Sequence, residues 1–145
     1  MRILAIDYGT RRLGLALSDP MGITAQPLIS LLRKSIAKDI AELRRIVEEY
    51  EVERGVIGLP RNLDGSPGAL WQESEDFRRR LESEFGIEVE GWDERLSTVQ
   101  AERMLIRADV SRRKRKGVID KVAAALILQS YLDARSASAG SGSSA

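Results

Sequence analysis

Apolar positions along the chain first follow a strand-like rhythm and then a helical one. Residues 2–6, Arg-Ile-Leu-Ala-Ile, are a nearly continuous apolar run, as expected of a strand buried on both faces. Tyr8 to Arg12 has the composition of a turn, and Leu13 to Ser18 reads as a second strand, so the two form a hairpin. Asp19-Pro20-Met21-Gly22 is another turn. Ile23 to Leu32 is a third strand, whose Pro27 suits a sheet edge.

Ile36, Ile40, Leu43, Ile46, Val47 and Tyr50 then recur at helical spacing with charged residues between them, which predicts an amphipathic helix. Gly55 to Leu59 is a short buried strand that Pro60 ends, and residues 61–68 form a loop. A helix follows from Ala69 to Phe85, with Leu70, Phe77 and Leu81 on one side. Ile87 to Trp92 alternates as a strand. Ser97-Thr98-Val99-Gln100 has the form of a capping box and opens a helix to Ala108. A last helix runs from Val118 to Ala134. The order β-β-β-α-β-α-β-α-α predicts an α/β fold: a mixed sheet, antiparallel in its first three strands, with βαβ crossovers and helices on its faces. Residues 1–135 are expected to form a single domain, and the small polar residues 136–145 a flexible tail.

The 145 residues suffice for one domain with a real core. The balance of 23 basic against 22 acidic side chains hides a segregation. Residues 73–94 hold nine acids and three bases, whereas residues 95–121 hold nine bases and three acids. Within the second stretch Arg112, Arg113, Lys114, Arg115 and Lys116 are consecutive and read as a basic loop. A net charge near zero therefore leaves a polyanionic partner open, since the local field governs contact. No apolar run approaches the roughly 18 residues of a membrane span. The N-terminus is too soon interrupted for a signal peptide. A cytoplasmic protein without a membrane partner is expected.

The chain has no histidine and no cysteine. Disulfides, thiolate nucleophiles, zinc ribbons and iron–sulfur clusters are thereby excluded, as are imidazole bases and Ser-His-Asp triads. Catalysis would have to come from carboxylates, hydroxyls, Lys, Arg, or a hard metal held by oxygen.

Three acidic positions are unusual. Asp7 ends the first apolar strand, where ligands gather in open α/β sheets, although a turn-initiating Asp is common there. Asp93 and Glu94 follow the fifth strand and point in different directions if the strand persists. Asp93 better fits a helix-capping or supporting role. Asp120 has Ala123, Ala124, Ile127 and Leu128 as its helical neighbours, so it lies on the inward face. A charge there needs a partner, either a metal or Lys116 one turn earlier, unless the first-turn dipole alone accommodates it. Three carboxylates with no other ligand type suit Mg²⁺ or Mn²⁺, and two such ions can drive phosphodiester hydrolysis without histidine.

Four segments together resemble one family. Asp7-Tyr8-Gly9-Thr10-Arg11-Arg12-Leu13-Gly14-Leu15-Ala16 is similar to the opening Asp-x-Gly-x-x-Arg-x-Gly-x-Ala motif of the YqgF family, also called RuvX, the pre-16S rRNA nuclease and Holliday-junction-resolvase-like family. Gly58 to Gly65 resembles its Gly-Leu-Pro loop, Asp93 to Thr98 its Asp-Glu-Arg segment, and Lys116 to Gln129 its final helix. The resemblance implies a ribonuclease H-like fold with a five-stranded mixed sheet. It also implies a metal-dependent nuclease site of Asp7, Glu94 and Asp120, with Mg²⁺ or Mn²⁺. Gly9, Thr10 and Asp93 would support that site. Arg12, Arg95 and the run Arg112–Lys116 would contact nucleic acid, either pre-rRNA at the 5′ end of 16S rRNA or branched DNA. Arg12 and Arg95 could instead neutralise the adjacent acids. The chain departs from many ribonuclease H-like enzymes in one respect: its fourth strand ends Ile57-Gly58-Leu59-Pro60 with no acid, so the candidate follows the fifth strand.

Two other readings remain at this level. Ile6 to Thr10 also resembles the first phosphate loop of sugar-kinase and actin-like ATPases, but those need two lobes and this chain has one. A non-catalytic RNA-binding assembly factor would rest on the basic run alone. A monomer and a homodimer are both open. Trp71 and Phe77 could mark a dimer face, although core packing explains them as well.

Overall fold

The computed structural model describes residues 1–62, 64–98 and 112–143, with the side chains of all but 112–118 and 139–143. Five strands are described: β1 Arg2–Tyr8, β2 Arg12–Ser18, β3 Ala25–Leu32, β4 Val52–Leu59 and β5 Glu88–Asp93. The helices are α1 Ile36–Glu49, α2 Trp71–Phe85 and α3 Arg112–Ser143, with a single 3₁₀ turn at Glu94–Leu96 after β5. The sheet order is β3-β2-β1-β4-β5. β1–β2 and β2–β3 pair antiparallel, whereas β4 joins β1, and β5 joins β4, in parallel. This is the expected mixed sheet, with β1 at its centre.

Alternation along the strands divides the core in two. Leu4, Ile6, Leu13, Leu15, Leu17, Ile57 and Leu59 face α1 and α2, where Ile40, Leu43, Ile46, Phe77 and Leu81 meet them. Ile3, Ala5, Ala16 and Val56 face the other way, against Ala124, Leu128, Tyr131 and Leu132 of α3. Every apolar residue that predicted α1 on its inner side is buried or half-buried except Ile36, in its first turn. Ser35 starts that helix by accepting the Lys38 N–H on its hydroxyl at 3.2 Å.

Several boundaries differ from the sequence pattern. β3 begins at Ala25 and not at Ile23. The Asp19 carboxylate accepts the N–H groups of Met21, Ile23 and Thr24, which prolongs the turn, and the Gln129 side chain binds Ile23 O and Ala25 N–H. β4 begins earlier, at Val52, where Glu53 and Arg54 concealed it: Arg54 reaches Glu88 on β5 at 2.8 Å. α2 starts two residues late, because the Trp71 N–H closes a turn on Gly68 O at 3.1 Å.

The largest correction concerns the last helix, which begins at Arg112. The expected basic loop 112–116 is therefore helical backbone. Lys and Arg are good helix formers, and Gly117 weakens the helix without ending it. The helix also continues to Ser143 where a flexible tail was expected. No Pro interrupts residues 136–143, and Ser136, Ala137 and Ser138 are exposed. The predicted helix over 97–108 falls almost wholly outside the described residues. Ser97 closes the 3₁₀ turn, donating its hydroxyl to Glu94 O at 2.7 Å.

Candidate active site

Asp7 lies at the C-terminal end of the central strand, and its cross-strand neighbours are glycines on both sides: Gly14 on β2 and Gly58 on β4. Neighbouring strands are about 4.8 Å apart, so two missing side chains leave the Asp7 carboxylate flanked by backbone. Both glycines face α3. A methyl group at Gly14 would overlap the carbonyl oxygen of Asp120, and one at Gly58 would come within 2.5 Å of Ile127 Cδ1. The helix backbone therefore rests directly on β2, and Asp120 is brought over the row that carries Asp7. β3 completes the row: Ser30 pairs with Gly14, and its hydroxyl donates to Asp120 Oδ2 at 3.3 Å. The inward face predicted for Asp120 is present, since Ala123, Ala124, Ile127 and Leu128 are all buried.

On the far side, Gly58 pairs with Trp92 of β5. Trp92 is fixed by an edge-on contact with Tyr131, at 5.3 Å between centroids, and by its N–H to Ser130 Oγ at 3.1 Å. Glu94 comes two residues later, in the 3₁₀ turn, and is only 8% exposed. Among the described residues no group of three acids lies close enough to hold a metal ion. Asp7 and Asp120 share a row, while Glu94 stands beyond β4.

Asp93 and Arg95 bind each other. Arg95 Nη2 lies 2.8 Å from Asp93 Oδ2, and the Arg95 N–H donates to Oδ1 at 2.9 Å, so Asp93 also caps the turn. The hydrogen bonds from Arg95 hold the Asp93 carboxyl below its ordinary range despite partial burial, aided by the charge of Arg61. Arg12 has no carboxylate partner among the described residues, Thr10 is exposed in the turn, and the side chains of Arg112–Lys116 lie outside the described set.

Sequence reasoning missed two groups that shape this end of the sheet. The first is Arg33 with Asp39. Arg33 Nε donates to Asp39 Oδ2 at 3.1 Å and Nη1 to Gly9 O at 3.1 Å, while the Arg33 N–H reaches Arg11 O at 2.9 Å. The guanidinium lies over the rings of Tyr8 and Phe77, 4.8 and 5.3 Å from their centroids. Partial burial works against its charge, but Tyr8 and Asp39 outweigh this and raise its pKa. Asp39 is only 3% exposed, so this is a buried pair that clamps the Gly9–Arg12 turn. The only sequence signal was an acid in the first turn of α1, which ordinarily means no more than a favourable helix dipole. The second is Arg61, whose Nη1 holds Gly65 O at 2.8 Å and whose guanidinium lies 3.6 Å from Asp93 and 5.9 Å over Trp71. It ties the 61–68 loop to β5.

Chemically, the arrangement offers two carboxylates, from β1 and α3, on a face opened by glycine. A third lies past β5, and only oxygen donors are present. That donor set fits a hard divalent cation and no softer metal.

Comparison with known proteins gives the family and the fold. The chain is 51% identical over 133 residues to a protein of Halothermothrix orenii named "Putative pre-16S rRNA nuclease", covering 92% of this chain and 95% of that one. It is 53% identical over 137 residues to a protein of the same name from a Geobacillus species, covering 93% and 99%. Among solved structures, RuvC of Thermus thermophilus in complex with a Holliday junction substrate superposes with a TM-score of 0.58 at 14% identity, covering 93% of this chain and 96% of that one. This likeness establishes the shared ribonuclease H-like architecture. The model of the RuvX family, described as Holliday junction resolvase, matches residues 1–134. On that match and on the half-identical, full-length relatives, the chain belongs to the RuvX family.

Proposed function

We propose that this protein is a metal-dependent nuclease that hydrolyses phosphodiester bonds in structured nucleic acid, with the 5′ end of pre-16S rRNA as its foremost substrate and branched DNA as the second. The observation that carries the reading is the row at the C-terminal end of the sheet, where Asp7 stands between two glycines and Asp120 is laid over it by α3. A RuvX family member with that row, and with relatives named for pre-16S rRNA, is best read as acting on phosphodiesters.

Asp7 and Asp120 would hold Mg²⁺ or Mn²⁺, with Glu94 as the third carboxylate. The ion, when bound, supplies charge that acidifies a water and offsets negative charge on the phosphate. The remaining work belongs to the chain. The glycines keep side chains out of the space a phosphate needs. Arg33, itself held by Asp39, keeps the Gly9–Arg12 turn rigid, so that Arg12 faces the phosphate backbone with its charge uncommitted to any described carboxylate. Arg95 is committed to Asp93, and its part in binding is through the residual positive charge of the Arg61–Asp93–Arg95 group. The helical run Arg112–Lys116 leads toward Asp120 with five consecutive positive charges, a segment suited to attract a polyanion. Residues 1–135 act as one nuclease domain in the cytoplasm. No described helix is long and apolar enough to cross a membrane.

A second reading, an RNA-binding assembly factor without catalysis, draws on the absence, among the described residues, of three acids close enough together to hold a metal ion. One experiment divides the two. Wild type and Asp7→Asn are assayed on pre-16S rRNA fragments and four-way DNA junctions with Mn²⁺. Cleavage by wild type alone supports the nuclease, and cleavage that survives Asp7→Asn removes the assigned site. Salt-sensitive binding with no cleavage by either protein would establish the binder.

A further inference from the structure

Ser30 stands out as a polar side chain facing inward on an edge strand, with Ile29 and Leu31 on either side of it in sequence. It is paired with Gly14, which has no side chain to separate it from the helix above. Its half-buried hydroxyl donates to Asp120 Oδ2 at 3.3 Å, from a residue 90 positions away. The two partners are anchored independently. Ser30 is fixed by the β2–β3 ladder. Asp120 is fixed by the packing of its own carbonyl on Gly14 and by Ile119, Ala123 and Ala124, all buried. A donor on the sheet that holds one carboxylate oxygen restricts rotation about Cβ–Cγ, and partial burial strengthens such a bond. Carboxylates that bind metal are commonly oriented by partners of this kind.

We infer that Ser30 is a positioning residue for Asp120, setting the direction in which that carboxylate meets a divalent cation. The inference rests on the reading of Asp120 as a metal-holding group. It assigns to β3, the strand farthest from Glu94, a part in the site that none of the four sequence motifs includes.

The test uses the full chain and Mn²⁺ alone, with no nucleic acid. Bound Mn²⁺ is counted by electron paramagnetic resonance, and the metal-induced rise in Tm is recorded in parallel. Ser30→Ala should raise the Mn²⁺ concentration for half-maximal binding by about 10- to 100-fold, the usual range for losing such a partner, with the metal-free Tm nearly unchanged. Ser30→Thr keeps the hydroxyl and should restore wild-type binding, while Ser30→Val, of the same size without it, should not. Wild-type Mn²⁺ binding in Ser30→Ala, in a protein whose Asp120→Asn variant has lost binding, would overturn the role of Ser30 and leave the metal site standing. Equal Mn²⁺ binding by wild type and Asp120→Asn would overturn the metal reading, and this inference with it.

Discussion

The two faces of the sheet are built from different residues. Toward α1 and α2 the strands present Leu4, Ile6, Leu13, Leu15, Leu17 and Ile57, large side chains that keep the helices at ordinary packing distance. Toward α3 they present Ala5, Gly14, Ala16 and Gly58 beside Ile3 and Val56, and at Gly14 the helix descends until its backbone touches the strand. The first face supplies most of the hydrophobic stabilisation. The second gives up apolar area in exchange for closeness, and it is the face that carries Asp7 and receives Asp120. The two acids of the proposed site lie where the side chains are smallest, since groups from two distant segments can converge there without a large residue between them.

This division can be broken at graded cost. Asp7→Asn should reduce cleavage on the order of 10³-fold or more, corresponding to several kcal/mol of lost charge stabilisation, while the Tm holds or rises; single-turnover assays and calorimetry read both. Gly14→Ala should cost about 3 kcal/mol, at the upper end of overpacking penalties because backbone and not a flexible side chain must yield. It should also lower activity well below its Tm by lifting Asp120, and normal activity in a folded Gly14→Ala protein would refute the close-approach argument. Leu15→Ala, fully buried on the opposite face, should cost about 3 kcal/mol in urea unfolding through cavity formation, yet leave kcat unchanged at temperatures where it is folded.

The smallest effect concerns Glu75 on α2, whose carboxyl is held below its ordinary value of 4.5 chiefly by hydrogen bonds from Arg78. A depressed folded value stabilises above the unfolded one, so the contribution is complete above about pH 5 and fades as the pH falls through the lower folded value. Glu75→Gln should therefore cost about 1 kcal/mol at pH 7 and progressively less as the pH falls below the unfolded value of 4.5, with cleavage unaffected.

Local pattern carried what was local. The strands β1 and β2, the inner side of α1 and the inward face of Asp120 were all readable, because each depends on residues within a few positions of one another. The proposed site was readable only as a set of residues. That Arg61 joins the Asp93–Arg95 pair, which the sequence already offered as neighbours two positions apart, and that Asp39 is buried with Arg33 against Tyr8 and Phe77, depends on where loops and helices meet. A charged residue looks the same in sequence whether it ends in solvent or in such a pair. Arg112–Lys116 misled for a related reason: five like charges suggest a loop, yet Lys and Arg enter a helix readily when its next turns are packed.

The route of the chain through the sheet has a consequence for synthesis. β1, β2 and β3 are joined by short turns and can pair as soon as they emerge, with β4 and β5 added as parallel neighbours. Asp7 belongs to the first of the described strands and Asp120 to the last of the described helices, and that helix is the one that covers β1, β2 and β3. A nascent chain can therefore assemble its scaffold early while its two carboxylates remain apart. If the chain is a nuclease that acts on RNA, it cannot cut until the helix that carries Asp120 has left the ribosome.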